Sequence, residues 1–97
     1  MKKGLNKEQS YYLARLNAKK GTLGSIFAAY KSPSQAKIDA FHEIAIECNQ
    51  RGGFGLCVLV ASSYFFSAGY FYPDSETGEL RARIELPTRT LDFAVVE

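Results

Sequence analysis

The spacing of apolar residues changes from a helical to an extended period at Gly52-Gly53, and this change most constrains the fold. Before the two glycines, apolar residues gather within about 120° of a helix circumference: Ile38, Phe41, Ile44, Ala45 and Cys48. After them, apolar residues recur at every second position, as in a strand. A helix followed by consecutive strands predicts an α+β fold with an antiparallel sheet.

The segment 32–52 is predicted to be the longest helix. Ser32 suits the N-cap, Pro33 suits the first helical position, and Gln35 completes a capping box. The polar residues Asp39, Glu43, Glu47 and Gln50 lie opposite the apolar stripe. We interpret them as a solvated face; an acidic interaction stripe is the alternative.

The segment 54–96 is predicted to be an antiparallel sheet of three or four strands. The third strand has the clearest division, with Leu80, Ala82, Ile84 and Leu86 on one side and charged residues on the other. Pro87 ends that strand. The alternation of Leu91, Phe93 and Val95 predicts a fourth strand at the edge.

The segment 1–31 is predicted to be basic and helical. Asn6 and Gln9 have the spacing of a capping box, and Tyr12, Leu13 and Leu16 form a narrow apolar stripe. Residues 22–31 fit a short strand or a helical turn equally well. We therefore expect a single domain, 1–97, with an N-terminal helix and one long amphipathic helix packed on a three- to four-stranded antiparallel meander.

Charge is distributed unevenly along the chain. Residues 1–37 carry eight lysines and arginines against one acid, a net +7, whereas residues 38–97 carry four arginines against nine acids, a net −5. A basic segment that also contains tyrosines suits an anionic partner such as single-stranded nucleic acid. An acidic protein, a second copy of the chain and a solvated face are the other interpretations. The candidate contacts are Lys2, Lys3, Lys7, Arg15, Lys19 and Lys20.

The second strand is a second candidate interface, because aromatic residues alternate onto both of its faces. One helix covers only one face of a sheet, so the other face needs the N-terminal segment, a partner or water. An exposed aromatic face would serve as an interface or a stacking platform. The residues in question are Tyr64, Phe66, Tyr70 and Tyr72, flanked by Arg81 and Arg83.

The sequence offers no constellation typical of an enzyme, and we expect no catalytic residues, metal or cofactor. His42 is the single histidine, and with Cys48 and Cys57 it cannot form a four-ligand structural site without carboxylates. A nucleophilic Cys57 with His42 as its base is the alternative, but buried, reduced core cysteines are the favoured interpretation. No apolar run approaches the ~20 residues of a membrane helix. A cytoplasmic protein is expected.

Two groups of residues resemble those of small proteins from phages and mobile elements of Gram-positive bacteria. The first is Tyr30-Lys31-Ser32-Pro33-Ser34 with Lys37 and Ala40; the second is Ser63-Tyr64, Phe66, Ala68-Gly69, Tyr72 and Glu76-Thr77-Gly78. The resemblance carries over no catalytic residue. It implies a context, since short phage proteins often act by binding host or defence proteins, anti-CRISPR inhibitors among them.

Overall fold

The computed structural model describes residues 4–18, 35–61 and 66–95, except for the side chains of residues 60 and 61. Its elements are α1 (Lys7–Ala18), α2 (Gln35–Gln50), β1 (Phe54–Ala61), β2 (Phe66–Pro73), β3 (Leu80–Glu85) and β4 (Thr90–Ala94). The strands form one antiparallel sheet in the order β1-β2-β3-β4. The predicted α+β meander with a helix packed on it is confirmed. The predicted Ser32–Pro33 cap and residues 22–31 lie outside the described residues.

Helix α1 begins at the predicted capping box. The Gln9 backbone N–H donates to Asn6 Oδ1 at 2.8 Å, and the Asn6 N–H donates to Gln9 Oε1 at 3.1 Å. Both donors would otherwise lack a partner in the first turn. These two bonds fix where the helix starts, and therefore which of its residues face the sheet.

Helix α2 ends at Gly52-Gly53, as predicted. Gly52 has a φ of 70°, a left-handed conformation that glycine adopts without steric cost. The Gly53 N–H donates to the Cys48 carbonyl at 2.7 Å, and the Gly52 N–H donates to the Asn49 carbonyl at 3.1 Å. This pair of bonds is a Schellman motif, which reverses the chain directly into β1.

The two helices lie on opposite faces of the sheet. On the α1 face, Leu16 packs against a buried set from all four strands: Cys57, Leu59, Phe71, Ala82, Ile84 and Phe93. On the α2 face, Phe41, Ile44 and Cys48 pack against Ala68, Tyr70 and Tyr72. The alternation of β1 and β2 therefore divides their apolar residues between two cores, whereas β3 and β4 contribute theirs to the α1 face. The face of the sheet that the long helix does not cover is packed against α1, one of the three coverings that the sequence left open.

Candidate functional site

Arg83 is the centre of a charged cluster on the α2 face of the sheet. Its Nε lies 2.6 Å from Glu47 Oε2 and 3.2 Å from Glu85 Oε2, and its Nη1 donates to Asp92 Oδ2 at 2.8 Å. Arg83 and Asp92 are direct cross-strand partners, whereas Glu47 comes from α2. The carboxylates raise the pKa of Arg83 despite its partial burial. One guanidinium thus joins α2, β3 and β4.

Asp92 receives hydrogen bonds from two further side chains. The Tyr72 hydroxyl lies 2.7 and 2.6 Å from its two carboxylate oxygens, and Arg81 Nε donates to Oδ1 at 2.9 Å. Burial alone would raise the pKa of Asp92, but the bonds from Tyr72, Arg81 and Arg83 outweigh it and hold the pKa below its usual value. Asp92 is therefore ionised and fully engaged at neutral pH.

Glu47 on α2, like Asp92 on β4, is a carboxylate that accepts several hydrogen bonds. It accepts the Tyr70 hydroxyl at 2.9 Å and pairs with Arg51 at 3.3 Å as well as with Arg83. Burial would raise its pKa, but Tyr70 and the two arginines together lower it. Burial and the carboxylate acceptors raise the pKa of both Tyr70 and Tyr72. We call this set the polar network: Glu47, Arg51, Tyr70, Tyr72, Arg81, Arg83, Glu85 and Asp92.

The polar network corrects the prediction of an exposed aromatic platform. Tyr70 is 0% and Tyr72 8% exposed, because α2 packs on them and their hydroxyls bind carboxylates. Phe66 is half-buried beside them, and Tyr64 lies outside the described residues. Arg81 and Arg83 are paired with carboxylates, so their charge is compensated within the chain. The charges of three arginines balance those of three carboxylates, so the network links α2, β2, β3 and β4 within the chain.

Sequence reasoning missed four residues of the polar network: Glu47, Arg51, Glu85 and Asp92. The position of Glu47 on the helix predicted a solvated face. The Glu47 side chain is roughly three-quarters buried and turned toward the sheet. One signal was present in the sequence: Arg81 and Arg83 alternate on a strand that follows one rich in tyrosine. Such a set of donors needs acidic partners, and α2 supplies one of them.

The basic residues within the described part of α1 have different environments. Lys7 is exposed. The Arg15 guanidinium instead donates two hydrogen bonds to the Leu59 carbonyl, at 3.1 Å from Nε and 2.7 Å from Nη2, and lies 5.6 Å from the Tyr11 ring centroid. Arg15 thereby fastens α1 to β1. Lys2, Lys3, Lys19 and Lys20 lie outside the described residues.

Cys57 and His42, the alternative nucleophile and base, are separated by the sheet. Cys57 is fully buried on the α1 face, whereas His42 is exposed on α2. Cys48 is buried on the α2 face, and burial together with the charge of Glu47 raises the pKa of its thiol. Both thiols are therefore core groups. Within residues 4–18, 35–61 and 66–95, no cluster of His, Cys, Asp and Glu side chains could hold a metal ion.

An apolar surface lies at the end of the sheet where β1 begins and β2 ends. Phe54 is 54% and Leu80 38% exposed, and Pro73 is exposed beside them. The pairings Phe54↔Phe71 and Pro73↔Leu80 place these side chains on the α1 face, where Phe54 stacks on Phe71 at 5.7 Å between ring centroids. Val95, whose N–H donates to the Leu80 carbonyl, continues the row. We call Phe54, Pro73, Leu80 and Val95 the apolar end.

The described part of α1 lies toward the opposite end of the sheet. Tyr12 adjoins Leu86 and Arg89 in a groove, Glu8 pairs with Arg89, and Arg15 reaches Leu59 near the end of β1. Leu16 then fills the centre of the core. The apolar end thus lies beyond these contacts of α1, which accounts for the exposure of Phe54 and Leu80.

Comparisons with protein-family models, with curated proteins and with solved structures find no match to this chain. Neither of the described helices has the length and apolar character required to cross a membrane.

Proposed function

We propose that this chain is a small protein-binding module that acts without chemistry of its own, and that the apolar end is its contact surface. The single observation that carries the proposal is the exposure of Phe54 and Leu80 on the same end and face of the sheet. Their backbones belong to strands, so the side chains are presented by a rigid scaffold. Rigid apolar side chains lose little entropy when a partner covers them.

The remaining chemistry of the described residues also favours binding by shape over catalysis. The polar network compensates its charges internally, and the hydroxyls of Tyr70 and Tyr72 are bonded to carboxylates. Aromatic and aliphatic anchors surrounded by less apolar surface are typical of binding hot spots. Burying the exposed halves of Phe54 and Leu80 would contribute about 1 kcal/mol each. The resemblance to small phage proteins favours a host or defence protein as the partner, with an anti-CRISPR-like inhibitor as the specific form.

The test is affinity capture from a Gram-positive bacterial lysate with matched variants. The double variant Phe54→Ser/Leu80→Ser removes the apolar end, and Ile46→Ser removes an equally exposed side chain from α2, where Ile46 is 58% exposed. Circular dichroism verifies that both variants are folded. We expect the wild type and Ile46→Ser to capture the same protein in near-equal amounts, and the double variant to lose it. Equal capture by all three would contradict the proposal.

A small nucleic-acid-binding protein is the second candidate function, favoured by the net +7 of residues 1–37. Binding of a fluorescent single-stranded oligonucleotide would then weaken steeply between about 50 and 200 mM salt, because bound counterions are released. Lys7→Ala should weaken it, whereas Phe54→Ser should not. Oligonucleotide binding that is absent, or insensitive to salt, would exclude this candidate.

A further inference from the structure

Among the described residues, the outer edge of β4 presents a regular row of backbone groups that are not bonded to another strand. Val95 N–H donates to the Leu80 carbonyl, and Leu86 N–H donates to the Arg89 carbonyl. Because hydrogen-bonded and non-bonded pairs alternate in an antiparallel ladder, Leu91 and Phe93 also direct their N–H and C=O groups toward β3. The corresponding groups of Thr90, Asp92 and Ala94 then point away from the sheet, where the Asp92 carbonyl also accepts a hydrogen bond from Arg81 Nη2 at 3.4 Å. In the part of the chain that the structure describes, β4 has one neighbouring strand.

The opposite edge of the sheet is protected by irregular pairing, and β4 differs from it in having a regular register. The pairing of β1 with β2 shifts register twice, between Phe54 and Cys57 and between Val58 and Val60. The Leu59 carbonyl, within the second irregular stretch, is occupied by Arg15. Bulges and covering side chains are established means of preventing strands from pairing with another chain. The register of β4 with β3 is continuous over Thr90–Ala94.

We propose that β4 pairs antiparallel with β4 of a second copy of this chain, giving a continuous eight-stranded sheet. A two-fold axis perpendicular to the sheet keeps equivalent faces together. The half-buried Leu91 and Val95 would meet apolar side chains of the other copy, and Thr90 and Ala94 would meet small or polar ones. Strand β4 is therefore complementary to itself, which favours a second copy over an unrelated strand.

The charge at the edge permits this pairing. Asp92 is the acidic residue of β4, and Arg81 and Arg83 already compensate it. Registers that place Asp92 opposite Thr90 or Ala94 also avoid a direct pair of carboxylates, which would be unfavourable. The strand is short, and interfaces well below ~1,000 Å² are transient, so we expect a weak dimer that forms only at high protein concentration.

Amide hydrogen exchange at increasing protein concentration tests the pairing without altering the chain. The Leu91 and Phe93 amides, bonded to β3, should be protected at every concentration and serve as internal controls. The Asp92 and Ala94 amides should become protected only as the protein dimerises, with exchange slowed about tenfold when nine-tenths of the chains are paired. Exchange at Asp92 and Ala94 that does not change with concentration would overturn the proposal. Protection that arises only on adding a different protein would overturn it too.

A proline substitution provides a second, independent test by sedimentation analysis. Ala94→Pro removes an outward-pointing donor without removing a bond to β3, whereas Ala94→Ser retains that donor. We expect the wild type and Ala94→Ser to show the same concentration-dependent dimer and Ala94→Pro to remain monomeric. A monomeric wild type at millimolar concentration, or equal dimerisation of Ala94→Pro and Ala94→Ser, would contradict the pairing. Neither variant removes Phe54 or Leu80, so this result is independent of the proposed function.

Discussion

Arg83 on β3 and Glu47 on α2 form an ion pair at 2.6 Å that joins the long helix to the sheet. Both side chains are roughly three-quarters buried, and both have further partners in the polar network. The contact holds α2 over β1 and β2 and also reaches β3. It is therefore the most direct link between the polar network and the packing of the α2 face.

Replacing Arg83 should destabilise the fold more than replacing the other arginine that pairs with Glu47. Arg83→Met keeps the apolar stem but leaves Glu47 and Asp92 without their shared cation, so we expect a loss of about 2 kcal/mol in the free energy of unfolding. Arg51→Met removes a more exposed pair and should cost at most about 1 kcal/mol. Urea denaturation measures both. Equal losses for the two variants would contradict the central position of Arg83.

Acid should weaken the fold through Glu47 and Asp92, whose pKa values are lowered in the folded state. A lowered carboxyl pKa stabilises the fold above the unfolded-state pKa, and the stabilisation is lost as pH falls through the folded-state pKa. The usual values are 4.5 for Glu47 and 3.8 for Asp92. The free energy of unfolding should therefore decline below about pH 5.

Chemical denaturation at a series of pH values measures this decline. Glu47→Gln should be less stable than the wild type at pH 7 but lose less on acidification, because one of the two titrating carboxylates is gone. A wild type that is as stable at pH 3 as at pH 6, or a variant with an unchanged slope, would refute the role of Glu47.

Alkali should ionise Tyr70 and Tyr72 later than ordinary tyrosines. Burial and the neighbouring carboxylates raise the pKa of both phenols above the usual 10, so the neutral form is favoured in the folded state. Their contribution to stability is present below pH 10 and is lost as pH rises through the folded-state pKa. Absorbance of phenolate near 295 nm should show a late phase that disappears in Tyr70→Phe/Tyr72→Phe. If all six tyrosines of the folded protein ionised together near pH 10, this prediction would fail.

Gly69 should tolerate no side chain, because the backbone of β2 lies close to its neighbours. A Cβ atom there would lie 2.7 Å from Ile84 Cδ1 and 2.9 Å from the Arg83 carbonyl oxygen. We expect Gly69→Ala to cost about 2 kcal/mol through overpacking. Gly4→Ala is the matched control, since its Cβ would meet nothing within 4 Å. Thermal or urea denaturation compares the two, and similar midpoints would contradict the close packing described.

Local signals in the sequence predicted the elements well. The Asn6/Gln9 capping box, the apolar stripe of α2 and its stop at Gly52-Gly53 are contacts between residues close in sequence, and each is present in the structure. The one-sided alternation of β3 likewise predicted the burial of Ala82 and Ile84, whereas Leu80 at the start of the strand is exposed. These features depend on a backbone period and a few hydrogen bonds, which a sequence encodes directly.

The surface was less predictable, because exposure depends on how elements are placed over one another. The alternation of Tyr70 and Tyr72 along β2 does not show whether their face of the sheet is exposed or covered. They are buried because α2 packs over them. Phe54 has the spacing of a core strand residue, yet it is 54% exposed because no described element covers that end of the sheet. The role of Glu47 likewise depends on which strand lies beneath its turn of helix. None of these relationships is set by sequence spacing.

Site-specific photo-crosslinking in a bacterial lysate tests most directly whether the apolar end is the contact surface. Benzoylphenylalanine replaces Phe54 with a larger aromatic at a half-exposed position, and the same probe at position 46 reports on the outer face of α2. We predict one crosslinked protein from position 54, retained after nuclease treatment, and no such product from position 46. Crosslinks of equal yield from both positions, or none from position 54, would contradict the account.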